Sequence, residues 1–356
     1  MNYVGIDYHK KYSHVTAIDD SGHVIGSQQL PNTPECFRDF FRHLGGPNKA
    51  VLETSRTWGV MFDLLEDLEE VESVTLAHAY KVRVIAEAKV KTDKIDAQVL
   101  AQMLRTNWIP AVHIPGKETR SFREMVRQRV FLVRMRTRVK NRIHVLLDRQ
   151  HIPAPAVSDL FGKRGTEYLK KLQLPSVEGE LLRQDLELLD VLNKILKEAE
   201  KQIESLLRED RRIQLLRTIP GIGPIFAALI ALEIDTIERF SSAAKLAGYC
   251  GLVPSTYGSG GKSFHGRLLP MCNKWLRWAL VEAAWASMRS SPYCRAHFGM
   301  RQRQKGNKTA LISLARRLSE IIWHVWKEQR VYEERPLPRV QRLWKEKTSP
   351  AALSTV

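Results

Sequence analysis

Asp93 and Asp96 stand three residues apart in AKVKTDKIDAQVLAQ (88–102), at the mouth of an apolar-periodic run. Residues three apart share a helix face, and residues two apart share a strand face. Asp7 lies in a strand-like YVGID, and Glu53 sits near the end of KAVLETS (49–55). A mixed sheet with a helix laid across it would bring all four carboxylates together. Four acids in one cleft repel strongly, so a fold keeps them only with cations to neutralise them. Oxygen-rich sites of that kind suit Mg²⁺ or Mn²⁺. Two such ions about 4 Å apart stabilise the attacking and leaving oxygens of a phosphodiester displacement. On spacing alone a plainer reading stands beside this one, in which Asp93 caps a helix and Asp7 ends a strand.

A second stretch, LAGYCGLVPSTYGSGGKSFHGRLLPMCNKWLRWAL (246–280), carries a serine among glycines. Gly258, Gly260 and Gly261 bracket Ser259, so its hydroxyl can approach a ligand with little hindrance. Lys262, His265 and Arg267 follow and favour an anionic substrate. By residue type alone such a serine is a turn residue. A hydrolase nucleophile elbow is excluded, because no G-x-S-x-G in a strand–helix context is present. Ser255 and Ser263, and after them Tyr257, are the alternative nucleophiles.

The elements that must position these groups follow from periodicity. Residues 2–30 alternate in strand fashion around a turn at DDSG (19–22), and short strands are expected at 49–55 and 73–79. Helical patterns near 34–44 and 58–70 separate them, which predicts a mixed α/β sheet. From 121 to 150 one long helix is expected, with Met125, Leu132, Val139 and Leu146 at heptad spacing. Arg123, Arg127, Arg129, Arg134, Arg136, Arg138, Lys140, Arg142 and Arg149 surround that stripe, against only Glu124 and Asp148. Solubility alone does not explain that imbalance, and Arg127, Arg134, Arg138 and Arg142 are candidates for contact with a nucleic-acid backbone.

After a proline-broken segment, Leu182, Leu189, Leu196 and Ile203 form a second heptad, with Leu192, Ala199 and Leu206 three residues later. A coiled coil or long helical hairpin is expected, within the chain or across a dimer. IPGIGP (219–224) before an apolar helix resembles a helix–hairpin–helix turn, in which Gly221 and Gly223 would present backbone N–H groups to a phosphate. A plain packing turn is the competing reading. Trp275, Trp278, Trp285, Trp323 and Trp326 fall at helical spacings and read as core.

The composition narrows the partner. Lys and Arg number 56 against 39 acids, a net charge of +17, as expected of a chain that tracks a polyanion. Four cysteines without C-x-x-C spacing read as reduced thiols, not as zinc ligands or a disulfide framework. No signal-peptide core and no apolar run of membrane length is evident, so a cytoplasmic protein without a membrane partner is expected.

YVGIDYHK, VLETS and KTDKIDAQVLA together resemble, in order, the three blocks of the DEDD transposases of bacterial insertion sequences, the one-ten family with its eleven-eleven subgroup. The resemblance spans roughly residues 3–330. It implies a RuvC-like, RNase H-type catalytic domain, with Asp7, Glu53, Asp93 and Asp96 as the metal-binding catalytic tetrad and Mg²⁺ or Mn²⁺ as cofactor. The 246–280 block resembles the same family's C-terminal domain through Gly251, Leu252, Pro254, Ser259, Gly260, Gly266, Asn273, Leu276 and Arg277. Ser259 matches the serine taken as nucleophile. Pro270 and Cys272 stand where the family usually has Lys and Gly, which puts the local turn in question.

The implied organisation is α/β plus α: a RuvC-like domain over 1–158 that includes the basic helix, a coiled-coil connector over 159–208, a mainly helical C-terminal domain over 209–332 with the hairpin-like glycine turn, and a flexible tail over 333–356. The resemblance also implies cleavage through a 5′-phosphoserine in a composite site, and donor and target DNA as substrates. It further implies a noncoding bridge RNA as guide and a homodimer or tetramer for synapsis. Among nucleic-acid contacts Lys262 and Arg267 join the four arginines and the two glycines. Two rivals make different predictions: a RuvC-like Holliday-junction nuclease that uses water, and an architectural nucleic-acid-binding protein without chemistry.

Overall fold

Alternation of apolar and polar residues carries the N-terminal third into strands. Three of them, β1 (Asn2–Tyr8), β2 (Tyr12–Ile18) and β3 (Val24–Pro31), form an antiparallel meander. After helix α1 (Pro34–Leu44), strand β4 (Asn48–Glu53) pairs parallel with β1. Helix α2 (Trp58–Glu66) then crosses over to β5 (Val71–Ala77), parallel to β4. Parallel neighbours need such crossovers. The sheet order is β3-β2-β1-β4-β5. This mixed five-stranded sheet is consistent with the RNase H-type fold that the resemblance implied. The computed structural model describes residues 1–85, 92–153, 155–259 and 262–334, so the expected tail from 335 onward lies outside the described residues.

Period two assigns each strand residue a face. Val4, Ile6, Val15, Ala17, Ala50 and Leu52 point into a core closed by Phe37 and Phe41 of α1 and Met61 and Leu65 of α2. The opposite face carries Gly5, Val51 and Ala77. It is covered by α4 (Asp93–Arg105) through Leu100 and Met103, joined by Val82 of α3 (Ala79–Ile85). The decisive position is Gly5. A Cβ built there would lie 1.9 Å from the Ala97 carbonyl oxygen and 2.7 Å from the Ala101 nitrogen. The backbones of β1 and α4 touch, and only glycine permits it.

The chain divides into two units, Met1–Pro115 and Gly116–Val356. The long basic helix, α5 (Lys117–Arg149), is counted with the second unit through its packing on α7 (Ser176–Leu207) and α9 (Pro224–Ile234). The sequence expectation attached it to the first domain, ending at 158. Arg129 bonds Glu200 (2.8 Å), Arg136 bonds Asn193 (3.5 Å) and Arg142 meets Asp185 (3.2 Å). Rising numbers on one helix meet falling numbers on the other, so α5 and α7 are an antiparallel pair within one chain. Leu132, Val139, Ile143 and Leu147 bury against Leu182, Leu186, Leu189, Leu192 and Leu196, with α6 (Lys163–Lys171) packed beside them through Leu169.

The rest of the unit surrounds α9, whose residues from Ala227 to Ile234 are all buried. A helix apolar on every side belongs at the centre of a core. Around it lie α8 (Arg211–Leu216), α10 (Ala243–Tyr249), α11 (Lys274–Ser290) and α12 (Pro292–Lys327). The glycine-serine stretch, where residue type read Ser259 as a turn residue, is a two-stranded antiparallel hairpin, β6 (Pro254–Ser259) and β7 (Lys262–Leu268).

Replacing Gly5 with Ala should push α4 off the sheet, at a cost of about 1–3 kcal/mol for overpacking. Chemical denaturation of Gly5→Ala and of a control, Gly299→Ala, at a helical position of ordinary φ with open space, measures it. Equal stability of wild type and Gly5→Ala would contradict the contact.

Candidate active site

The Gly5 contact decides what lies above the sheet. Asp7 and His9 follow Gly5 at steps of two and so lean toward α4. Thr92, not Asp93, caps α4, accepting from the Ile95 N–H at 3.3 Å, which leaves both aspartates in the first turn where the helix dipole favours them. The His9 Nε2 lies 3.2 Å from Asp7 Oδ2 and 3.3 Å from Asp93 Oδ2. The Tyr12 hydroxyl donates to Asp93 Oδ2 at 3.1 Å, and its ring stands 5.0 Å from the His9 ring. Among the described residues, Asp7, His9 and Asp93 offer ligand atoms all within 4.8 Å of one another.

Asp96 follows on the same face of α4, near enough for its charge to act on Asp7. Glu53 comes one residue beyond the Ile6–Leu52 register pair on the neighbouring parallel strand, on the side of Val51 that faces α4. Both stand beside the close cluster rather than within it. Burial pushes the Asp7 carboxyl above its ordinary range; His9 pulls it down, and the charges of Asp93 and Asp96 push it up again. A carboxylate held among like charges favours a bound cation. Two carboxylates and an imidazole fit one divalent ion, and the nitrogen suits Mn²⁺ better than Mg²⁺. Sequence reasoning missed His9, although the spacing Asp7-x-His9 carried the signal.

Ser259 closes β6, in register with Lys262 at the first position of β7. The side chains of Ser259, Lys262, Ser263 and His265, and the whole of Gly260 and Gly261, lie outside the described residues. Of the alternative nucleophiles, Ser255 donates its hydroxyl to the Arg267 carbonyl at 3.1 Å, in space that a Cβ on Gly266 would fill. Tyr257 pairs across the hairpin with Phe264, and both rings are exposed, 68% and 66%. Such an aromatic pair suits base stacking, a feature the sequence reading passed over.

The hairpin's base is anchored. Asn273 caps α11 by accepting from the Trp275 and Leu276 N–H groups, and its Nδ2 donates to Glu233 at 2.8 Å. Arg277 donates to the Leu269 carbonyl. Cys272 packs at the left-handed Gly251 (φ 67). The non-glycine residues with positive φ among those described are Asn107, His151, Asp235 and Gln329, so Cys272 asks nothing of the backbone that glycine alone could give.

The four candidate arginines of α5 part company. Arg127 bonds the buried Glu233 at 2.7 Å and lies over Trp275, so its charge is spent inside the protein. Arg134 is exposed and lies over Trp275 and Trp278. Arg138 and Arg142 are exposed and line a cleft of about 580 Å³ with Asn141, Arg149, Leu181 and Asp185. Arg142 is also paired to Asp185. In the glycine turn, a Cβ on Gly221 (φ 84) would lie 2.3 Å from the Ala283 carbonyl, so packing on α11 explains that glycine. Gly223 is exposed with nothing near its Cα side. The tryptophans mostly pack the core, Trp326 buried at 4% exposure and Trp285 half-exposed. All four cysteines are free, and no described helix is long and apolar enough to cross a membrane.

Comparison with known proteins bears on the same two segments. A DEDD-type transposase family model of the IS110 group matches residues 4–152, and the model described as "Transposase IS116/IS110/IS902 family" matches residues 213–299. The chain is 27% identical over 351 residues to "Probable family 20 transposase" of Pseudomonas aeruginosa, covering 93% of this chain and 98% of that protein. It is 29% identical over 259 residues to "Transposase for insertion sequence element IS1328" of Yersinia enterocolitica, covering 68% and 74%. It is 24% identical over 263 residues to "Transposase for insertion sequence element IS1111A" of Coxiella burnetii, covering 68% of each.

The raised Asp7 carboxyl has a stability consequence. The folded state holds that proton to higher pH than the unfolded chain, so the cost of ionised Asp7 is absent in acid and appears as pH rises past its folded value. Asp7→Asn should therefore melt about 1–3 °C higher than wild type in metal-free neutral buffer, a small gain because the site is partly solvated. At acid pH the difference should vanish. A lower melting temperature at neutral pH would contradict the sign.

Proposed function

Because the chain belongs to the IS116/IS110/IS902 family of insertion-sequence transposases, we propose that it cuts and rejoins DNA through a phosphoserine intermediate on Ser259, in a reaction that needs the acids Asp7, Glu53, Asp93 and Asp96. The observation that carries this reading is the convergence of Asp7 and Asp93, far apart in sequence, on one imidazole. Such an arrangement is expensive without a cation and useful with one.

Mg²⁺ or Mn²⁺, when bound, would supply Lewis-acid stabilisation of charge on the phosphoryl oxygens. The chain's own groups do the rest. Asp7 and Asp93 hold their oxygens toward one point, with Asp96 and Glu53 along the same face. Tyr12 fixes the Asp93 carboxylate by a hydrogen bond, and the His9 ring stands 3.3 Å from the same oxygen. The Ser259 hydroxyl loses its proton and forms a bond to phosphorus as the bond to the 3′ oxygen breaks. That oxygen takes up a proton and leaves as a free 3′-OH. A 3′-OH from another strand then attacks the phosphoserine and releases Ser259. One phosphodiester is exchanged for another, so no nucleotide hydrolysis is required.

Further parts of the reading concern partners. The exposed Arg134, Arg138 and Arg142 support contact with a nucleic-acid backbone, and the relief of base reading by a noncoding bridge RNA fits a protein whose contacts are to phosphate. Lys262, Arg267 and the exposed Gly223 are the further contacts of this reading, while Gly221 is taken up by its packing on α11. Synapsis of donor and target DNA calls for a homodimer or tetramer, in a bacterial cytoplasm at the nucleoid.

The test is an SDS-resistant protein–DNA adduct, formed with the element's RNA, Mg²⁺ and labelled donor and target DNA. Wild type should give the adduct, and Ser259→Ala and Asp93→Ala should not. Cleaved DNA without an adduct, unchanged in Ser259→Ala, would replace this reading with a water-using RuvC-like nuclease.

A further inference from the structure

The long helix α12 is two helices. Gly306 has φ 75 and ψ 170, outside any helix, and a Cβ there would meet nothing within 4 Å. The halves fold back on each other. Arg317 bonds the Tyr293 hydroxyl (2.9 Å), His297 meets Ser313 (3.1 Å) and Gln302 donates to Asn307 (2.7 Å). These pairs close in on Gly306 from both sides, so the segment is an antiparallel helical hairpin with its tip at RQRQKGNK (301–308).

Every residue of that tip is exposed. It carries Arg301, Arg303, Lys305 and Lys308, and from 292 to 319 there is no acid at all. Among the described residues, no acid forms an ion pair with any of these four cations. Other arginines of the unit are answered internally, Arg127 by Glu233 and Arg129 by Glu200. The helix dipole accounts for Arg301, Arg303 and Lys305 in the last turns of the first half. It opposes Lys308, which opens the second half where anions are favoured. Four like charges at one tip, one of them against the dipole, destabilise the free protein slightly and gain only from a polyanion.

We infer that the α12 tip is a docking point for the phosphate backbone of duplex DNA. The inference rests on the DNA-binding part of the proposed function and not on its serine chemistry. It also lies past the matched family segment, which ends at residue 299. Contact there is sequence-independent: the tip presents cations, and Gln302 is already engaged by Asn307. A hairpin end two helices wide spans roughly 20 Å and reaches a few phosphates.

Salt dependence tests it. The affinity of the full chain for a labelled mixed-sequence duplex is measured across a KCl series, for wild type and for R301Q/R303Q/K305Q/K308Q. A second variant, K171Q/K194Q/K197Q/K201Q, removes the same net charge from exposed positions on α6 and α7. The tip variant should bind roughly tenfold or more weakly at moderate salt, with the slope of log K against log[salt] reduced by about 2–3. The control should lose much less. Equal losses in both variants would mean diffuse charge and overturn the docking point. An unchanged slope on duplex, with the loss appearing only on a structured RNA, would overturn it in favour of RNA. Unchanged far-ultraviolet dichroism and melting of the tip variant exclude misfolding. Loss of the serine adduct with this slope change intact would sink the chemistry and leave the docking point standing.

Discussion

One backbone contact organises the N-terminal unit. The Ala97 carbonyl of α4 rests against Gly5 of β1, closer than any side chain would allow. A helix normally stands off a sheet by the depth of its side chains. Here the interval is removed at one point, and the first turn of α4 is brought down to the end of β1. Thr92 takes the capping duty, so Asp93 is released to face Asp7. The meander contributes as well, because its first turn returns His9 and Tyr12 to the same place. The local acids are costly, and the cost is borne by the close packing of two apolar layers around them.

The helical unit relies on a different device, a buried acid. Glu233 is 1% exposed on α9, yet it receives Arg127 from α5 and Asn273 from the cap of α11. Arg123 also donates to the backbone carbonyls of Leu232 and Glu233. A buried carboxylate of that kind is held only with its partners in place; removing one leaves an uncompensated charge at a cost of several kcal/mol. Asn273 connects the node to the hairpin β6–β7, since it bridges Glu233 and the start of the helix that follows the hairpin. Basic helix, central helix and serine-bearing hairpin thus share one electrostatic anchor.

Much of this was legible in residue spacing. The strand pattern of residues 2–30, the helices between the later strands, and the approach of Asp93 to Asp7 follow from period and block order. The heptad of Leu182, Leu189, Leu196 and Ile203 is buried as its spacing implies. On α5 the seam drifted: Leu132 and Val139 are buried, but Val126, Val130, Ile143 and Leu147 replace Met125 and Leu146 at its centre. A helix of 3.6 residues per turn does not hold a seven-residue register over such a length. Three features were hidden for physical reasons. Composition cannot say which helix α7 pairs with, because an apolar seam serves an intrachain or an intersubunit partner equally. Glycine and serine within 246–280 suggested a turn at Ser259, where cross-strand pairing such as Tyr257 with Phe264 makes a hairpin. Gly221 looked like a phosphate-binding glycine, and its neighbour Ala283 shows a packing reason instead.

The central claim is that β1 and α4 together make one cation site with His9 among its donors. Electron paramagnetic resonance of the full chain with Mn²⁺ tests it most directly, because the ion's spectrum registers both occupancy and a nitrogen neighbour. Wild type should bind Mn²⁺ with a nitrogen hyperfine coupling; His9→Gln should lose the coupling while keeping weaker binding, and Asp93→Asn should lose most of the binding. Mn²⁺ bound equally well by Asp93→Asn, or bound by wild type without any nitrogen coupling, would contradict the account.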